Sequence, residues 1–434
     1  MSTDGRGDTP AATSQTDIDN GVALDLPYVQ SQFPQHSAYP GQVFCSNAGG
    51  SFVARQVLDI SSHYDGLTRV QPYSAFSPSS DAGDAMDRAY AGWAEALNIA
   101  REELTLGPST SANSYVMANA VGAHWGPGDE IIVTQQDHES NIGAWRHKAE
   151  ERGATVREWP IDPETGLLDP EDLFVMLNDN TRWVFFTHCS NVIGTANPVA
   201  EIVRGVRRHS GASVGVDAVA YAPHHICDLR DLDVDLYLFS LYKVYGPHQG
   251  VLYVRGALGD RLQGQGHYFL RGQQAKRYNP AGPQHSQVAA AAGVLDYFEQ
   301  LDLHHGGAPG DPLRSRLRRL HQLVHRHETQ LARTVLDYLD NCKAVRLLGK
   351  THCRDGDRAP TIAFRPRGRS AAGVARDLQA LGIGTENGDF YAPRALHHLG
   401  IDPDDGVVRI SLLHYTSQAE AERIVEALDQ VLAA

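Results

Sequence analysis

Two side chains of opposite charge stand at the ends of apolar runs in the middle of the chain. Val214-Gly215-Val216 closes on Asp217, and Leu236-Tyr237-Leu238-Phe239-Ser240 leads through Leu241-Tyr242 to Lys243. Burial penalises a charged form, so a lysine at the end of an apolar strand is pushed toward the neutral amine. A neutral amine is what attacks an aldehyde to make a Schiff base. A carboxylate in the same setting is costly unless it meets a cation. If the two strands are neighbours, both side chains project into the crevice at the carboxyl ends of the strands, where open α/β sheets bind ligands. A lysine snorkelling to the surface and a structural ion pair are the plainer alternatives.

One ligand would use both groups. An aldehyde-bearing pyridinium would link to Lys243 and give its ring N–H to Asp217, which is the arrangement of pyridoxal 5'-phosphate (PLP), where the acid keeps the ring an electron sink. A phosphate site is also available. Gly107-Pro108-Ser109-Thr110-Ser111-Ala112-Asn113 is a turn rich in small hydroxyl residues ahead of a helix expected over Tyr115–Val121. Backbone N–H groups and hydroxyls at a helix start bind phosphate, although an ordinary N-cap looks the same.

The elements that must carry these residues alternate. Strands are expected at Glu130–Thr134, Ala154–Trp159, Arg182–Thr187, Ala212–Val216, Leu236–Ser240 and Gly250–Val254. Helices are expected at Asn141–Arg152, Pro170–Leu177 and Pro198–His209. This alternation predicts βαβ units around a largely parallel sheet. After Gly306–Asp311 the pattern changes to a long Arg/Leu-rich helix over Pro312–Leu339. Strands at Ala344–Leu348, Thr361–Arg365 and Val407–Leu413 follow, with helices near Ala371–Leu381 and Ala419–Ala433. The expected division is a disordered tail over 1–25, a large domain over 26–305 and a small C-terminal α+β domain over 306–434.

Composition narrows the function classes. The 434 residues carry a formal net charge of −14, which argues against a sequence-independent hold on nucleic acid or an anionic membrane. No apolar run is long enough for a transmembrane helix, and the start lacks a secretory signal pattern. Five cysteines without a CxxC signal neither a disulfide framework nor zinc, so no metal and a cytoplasmic setting are expected. The 21 histidines are scattered.

Several segments, in order, resemble the class V aminotransferases, the cysteine desulfurase-like branch of fold-type I PLP enzymes. Asp217 and Ser240-Leu241-Tyr242-Lys243-Val244-Tyr245-Gly246-Pro247-His248 are similar to the family's lysine motif. Asp137-His138-Glu139-Ser140-Asn141 is similar to its ring-stacking loop. His188-Cys189-Ser190-Asn191-Val192-Ile193-Gly194-Thr195 resembles its HxSNxxGT segment, and Arg409-Ile410-Ser411-Leu412-Leu413-His414-Tyr415 its late strand. The resemblance implies an α/β fold-type I enzyme with PLP as cofactor. Lys243 would carry the cofactor and move protons, and Asp217 would hold the ring nitrogen. His138 would stack on the ring. Thr110, Ser111, Ser240 and Tyr242 would bind phosphate, and Asn191 would approach cofactor and substrate. Arg409 would grip the substrate carboxylate, with Asn47 beside it. A homodimer with its site near the subunit interface is implied, where Gly282 would meet the partner's phosphate.

Three positions depart from the family pattern. The loop Gly384–Tyr391 lacks the desulfurases' nucleophilic Cys. Ala220 stands where the family has Gln or His against the ring's phenolic oxygen. Ala281-Gly282 stands where it has Gly-Thr. Without the loop thiol, the expected reaction is β-elimination on an S-substituted cysteine, a small amino-acid substrate. Epimerisation (as in isopenicillin N epimerase), aminotransfer and decarboxylating deamination are the alternatives, with true cysteine desulfuration behind them. The substrate side chain is expected to meet Ser46–Ser51, Tyr73–Ser77 and Asn387–Tyr391.

Overall fold

Apolar runs too short to be helices assemble into a single sheet of seven strands. They are β1 (Leu104–Gly107), β2 (Glu130–Thr134), β3 (Thr155–Trp159), β4 (Thr181–Thr187), β5 (Ser213–Asp217), β6 (Leu236–Ser240) and β7 (Gly250–Val254), in the order β1-β7-β6-β5-β4-β2-β3. The structure, a computed structural model, describes residues 23–353 and 356–433. Most of the expected tail, residues 1–22, lies outside them. β2 to β6 run parallel, whereas β7 is antiparallel to both β6 and the edge strand β1. Every residue of β6 and β7 is buried, as expected of strands covered on both faces. On one face Trp145 of the helix Glu139–Arg152 stacks on Phe185 of β4 with ring centroids 4.1 Å apart.

Register sets the functional end of the sheet. Thr187 pairs with Asp217, Asp217 with Leu238, and Ser240 with Gly250. Asp217, Ser240 and the 3-10 turn Leu241–Lys243 therefore emerge along one edge. The opposite ends of β5 and β6 are pinned by Asp235. Its carboxylate accepts from the Val214 N–H at 2.7 Å and pairs with Arg207 and Arg255.

A second sheet holds β8 (Val345–Leu347), β9 (Thr361–Pro366), β10 (Glu386–Gly388) and β11 (Val407–Ser411), all antiparallel, in the order β10-β11-β9-β8. The long helix Leu313–Asn341 serves both layers. Leu317 and Leu320 pack into the first core, and Leu331, Val335, Leu336 and Leu339 into the second. The segment after Gln42 links the layers as well. Val43–Phe44 pairs in parallel with Ile383–Gly384. Further along, the Ser51 N–H donates to the Tyr242 carbonyl at 3.1 Å, and Tyr245 N–H to Ser51 Oγ at 2.8 Å. Residues 43–51 thus form a belt from the small sheet to the turn bearing Lys243.

Candidate active site

The carboxyl ends of β4, β5 and β6, the start of the helix Thr110–Gly122 and the loop before the helix Glu139–Arg152 enclose a cavity of about 360 Å³. Thr110, Ser111, His138, Asn191, Asp217, Ser240, Tyr242 and Lys243 all line it, with Ala220, Cys189 and Tyr391. Residues from six separate chain regions meet here, most of them because the strand ends were brought to the same edge.

Lys243 is only 7% exposed. Burial, with help from Arg409, lowers its ammonium to about 8, against the opposing pull of Asp217. Burial pushes the Asp217 carboxyl up to about 6, although the Val219 N–H it accepts at 2.7 Å and the nearby Lys243 favour the ionised form. The two line the same cavity and feel each other's charge through space. Asp137 feels the charge of Asp217; burial raises its carboxyl to about 7 while Thr134 and Asn141 donate to it.

At the phosphate end, Thr110 and Ser240 share a hydroxyl–hydroxyl bond of 2.7 Å, and Ser109 Oγ caps the helix by accepting from the Ala112 N–H at 3.1 Å. The strand β7 approaches this turn so closely that a Cβ at Gly250 would sit 2.5 Å from Thr110 N. Only glycine fits there, and its absence of a side chain lets the helix start rest on the sheet. The helix N–H groups and two hydroxyls suit a phosphate. His138 caps the next helix: its Nδ1 accepts from the Ser140 N–H at 3.0 Å. Burial, then Lys243 and Arg409, lowers the imidazole to about 4, so it is neutral at pH 7.

Three expected residues do not line the cavity. Arg409, on β11, is 4% exposed. Its Nη1 donates to the Asn191 carbonyl at 2.9 Å, and Glu386 lies 3.8 Å from Nη2. Asn47 is occupied structurally: its Nδ2 donates to the Ser411 carbonyl at 2.8 Å and its Oδ1 accepts from Tyr415. Gly282 sits with Tyr73, Arg101 and Lys276 in a separate hollow of about 500 Å³. Sequence reading also missed Phe390, whose ring lies 3.7 Å from the Arg409 guanidinium carbon. The loop was flagged, but nothing in its residue types points inward. Among the described residues no set of His, Cys, Asp and Glu could hold a metal, and no helix is long and apolar enough to cross a membrane.

The buried imidazoles make a pH prediction. His188 and His414 are both lowered to about 3 and His138 to about 4, by burial. Below the unfolded value of 6.5, the unfolded chain binds protons that the folded one refuses, so stability is lost as pH falls. Asp137 and Asp217, raised to about 7 and about 6, act in the opposite sense, but the two carboxyls offset only part of what the three imidazoles lose. Tm followed by circular dichroism should fall as pH is lowered from about 7 toward about 4. An unchanged Tm would contradict neutral burial.

An aldehyde-reactive amine, a facing carboxylate and a phosphate cradle on this sheet order define a fold-type I PLP-dependent enzyme. The chain belongs to the class V aminotransferase family, whose model matches residues 43–424. It is 35% identical to the aminotransferase-like protein FGM3 of Gibberella zeae, over 94% of this chain and 99% of the relative. It is 28% identical to the cysteine desulfurase-like protein ustD of Aspergillus flavus, over 97% and 93%. Its fold superposes on the apo cysteine desulfurase of Thermococcus onnurineus NA1 with a TM-score of 0.80 at 22% identity, covering 94% of this chain and 98% of that one. The cofactor is pyridoxal 5'-phosphate, and the cavity fits it. Beyond the amine and acid, the buried Asn191 Oδ1 has no partner within the protein.

Proposed function

We propose that the protein is a C–S β-lyase that converts an S-substituted cysteine and one water to a thiol, pyruvate and ammonia. Bound PLP supplies an electron sink that weakens the bonds at an amino acid's Cα. Lys243 Nζ, poised near neutrality, takes the Cα proton and holds it beside the departing sulfur. Asp217 would hold the protonated nitrogen of the cofactor, and the neutral His138 would lie against it without competing for charge. Arg409 orients the carboxylate so that the Cα–H bond points at Lys243. The sulfur leaves Cβ with the bonding electrons and needs no enzyme nucleophile.

The observation that carries this reading is the state of the thiols. The loop Gly384–Tyr391 has no cysteine. Cys189, which lines the cavity, has its thiol raised to about 12 by burial, and its Sγ donates to the Gly194 carbonyl at 3.3 Å. Sulfur transfer to the enzyme requires a thiolate, and this one is held protonated. A homodimer belongs to the same reading, supported by the exposed Tyr268 and Phe269, the latter at the hollow that holds Gly282.

The holoprotein should release pyruvate and thiol in equal amounts from an S-substituted cysteine. Replacement of all five cysteines by alanine should leave that turnover within about twofold, because no thiolate takes part. Racemised amino acid or CO2 in place of pyruvate would reject the reading, and loss of turnover in the folded cysteine-free variant would restore a thiolate mechanism.

A further inference from the structure

The guanidinium assigned to the substrate carboxylate is closed off. Arg409 is 4% exposed, its Nε is buried without a partner, and the Phe390 ring lies over it at 3.7 Å. An incoming carboxylate competes with that ring for the guanidinium. The segment that holds the ring is conformationally loaded. Phe390 and Tyr391 both adopt left-handed backbone, φ 51° and φ 58°, which aromatic residues rarely tolerate. Four hydrogen bonds hold it there. Asn191 Nδ2 donates to the Phe390 carbonyl at 2.8 Å and the Glu139 N–H to the Tyr391 carbonyl at 2.7 Å. The Tyr391 N–H donates to Asp389 Oδ1 at 2.9 Å and the Ala392 N–H to the Asp389 carbonyl at 2.9 Å. Asn191 links this loop to Arg409. Its side chain holds the loop while its carbonyl accepts from Arg409 Nη1. Tyr391 itself is 72% exposed and still forms part of the cavity wall.

We propose that Phe390 is a cover over Arg409 that an α-carboxylate must displace, so that the ring sets the affinity for amino acids and leaves that for amines untouched. The inference rests on the assignment of Arg409 to the substrate carboxylate. A cation stacked on an aromatic face is moderately stabilised. A full negative charge with two hydrogen bonds stabilises the same guanidinium more, so a carboxylate outcompetes the ring and an uncharged group does not. Carboxylate ligands then need a state in which the ring is displaced and which is only partly populated, and this weakens their apparent affinity by that fraction.

L-Alanine and ethylamine differ by the carboxylate alone and can be titrated into the holoprotein, with the shift of the cofactor's visible absorption as readout. Phe390→Ala should tighten L-alanine about tenfold by removing the cover, with ethylamine unchanged. Phe390→Tyr, which keeps a ring over the guanidinium, should bind both as the wild type does. An unchanged or weakened L-alanine affinity in Phe390→Ala, or equal tightening of ethylamine, would overturn the proposal. Arg409→Ala separates the two levels. If it abolishes the preference for L-alanine over ethylamine, the carboxylate assignment stands whatever Phe390 does. If the preference persists, the assignment itself fails.

Discussion

Lys243→Ala is expected to erase the visible absorption of the covalently attached cofactor and to cut turnover by at least about 10³-fold, the span of a lost general base and more. The side chain is buried at the end of β6, and its ammonium is lowered to about 8. Near neutral pH part of the population is therefore the free amine, which is both the nucleophile for the aldehyde and the acceptor of the Cα proton. Attachment of cofactor to apoprotein should accordingly quicken as pH rises through about 8. Lys243→Arg makes the sharper control. Arginine keeps the charge and much of the length but stays protonated, so PLP should bind without attachment and leave on dialysis. An unaltered spectrum in either variant would remove the amine from the chemistry.

The second large effect belongs to Arg409→Ala. The guanidinium is buried enough to lower its proton affinity, to about 10, and Glu386 at 3.8 Å offsets that only in part. A buried cation with an incomplete partner set gains from an incoming anion, since the cost of its desolvation has already been met in the fold. Loss of a charge-assisted bidentate contact should cost about 2–4 kcal/mol, or about 30- to 900-fold in kcat/KM, mostly as a raised KM. Arg409→Lys should recover little, because a point charge cannot both donate to the Asn191 carbonyl and fork onto a carboxylate. A KM that does not move in Arg409→Ala would place substrate recognition elsewhere.

Much of this was legible in the residues because of where parallel strands lie. Strands covered on both faces must be apolar throughout, so a charged residue at the end of such a run is conspicuous. Asp217 and Lys243 stood out for that reason, and the structure brings both to one cavity. The strands Glu130–Thr134, Leu236–Ser240 and Gly250–Val254 have the bounds the pattern suggested. The antiparallel direction of the last was not legible, because an apolar run carries no sign of its direction. β1 also escaped notice: four residues ending in Gly-Pro give no period. The helix Ser77–Leu97 was hidden by its Ser, Ala and Gly content, which blurs a 3.6-residue stripe. The site was least legible where it depends on distant anchors. No local pattern announces that the Glu139 N–H and Asn191 will turn Phe390 onto Arg409, or that Tyr73 will face Gly282 in another hollow.

The belt over residues 43–51 has a consequence for biosynthesis. Cys45 docks on Gly384, a partner 339 positions later in the chain. At about 5–20 residues per second the ribosome delivers that partner roughly 15–70 s after the belt itself. Until then the belt can meet the turn bearing Lys243 through Ser51 but has no anchor in the small sheet. A polypeptide stalled before Ile383 thus owns the reactive lysine but not its finished surroundings, and competence to retain the cofactor should arrive only as translation ends.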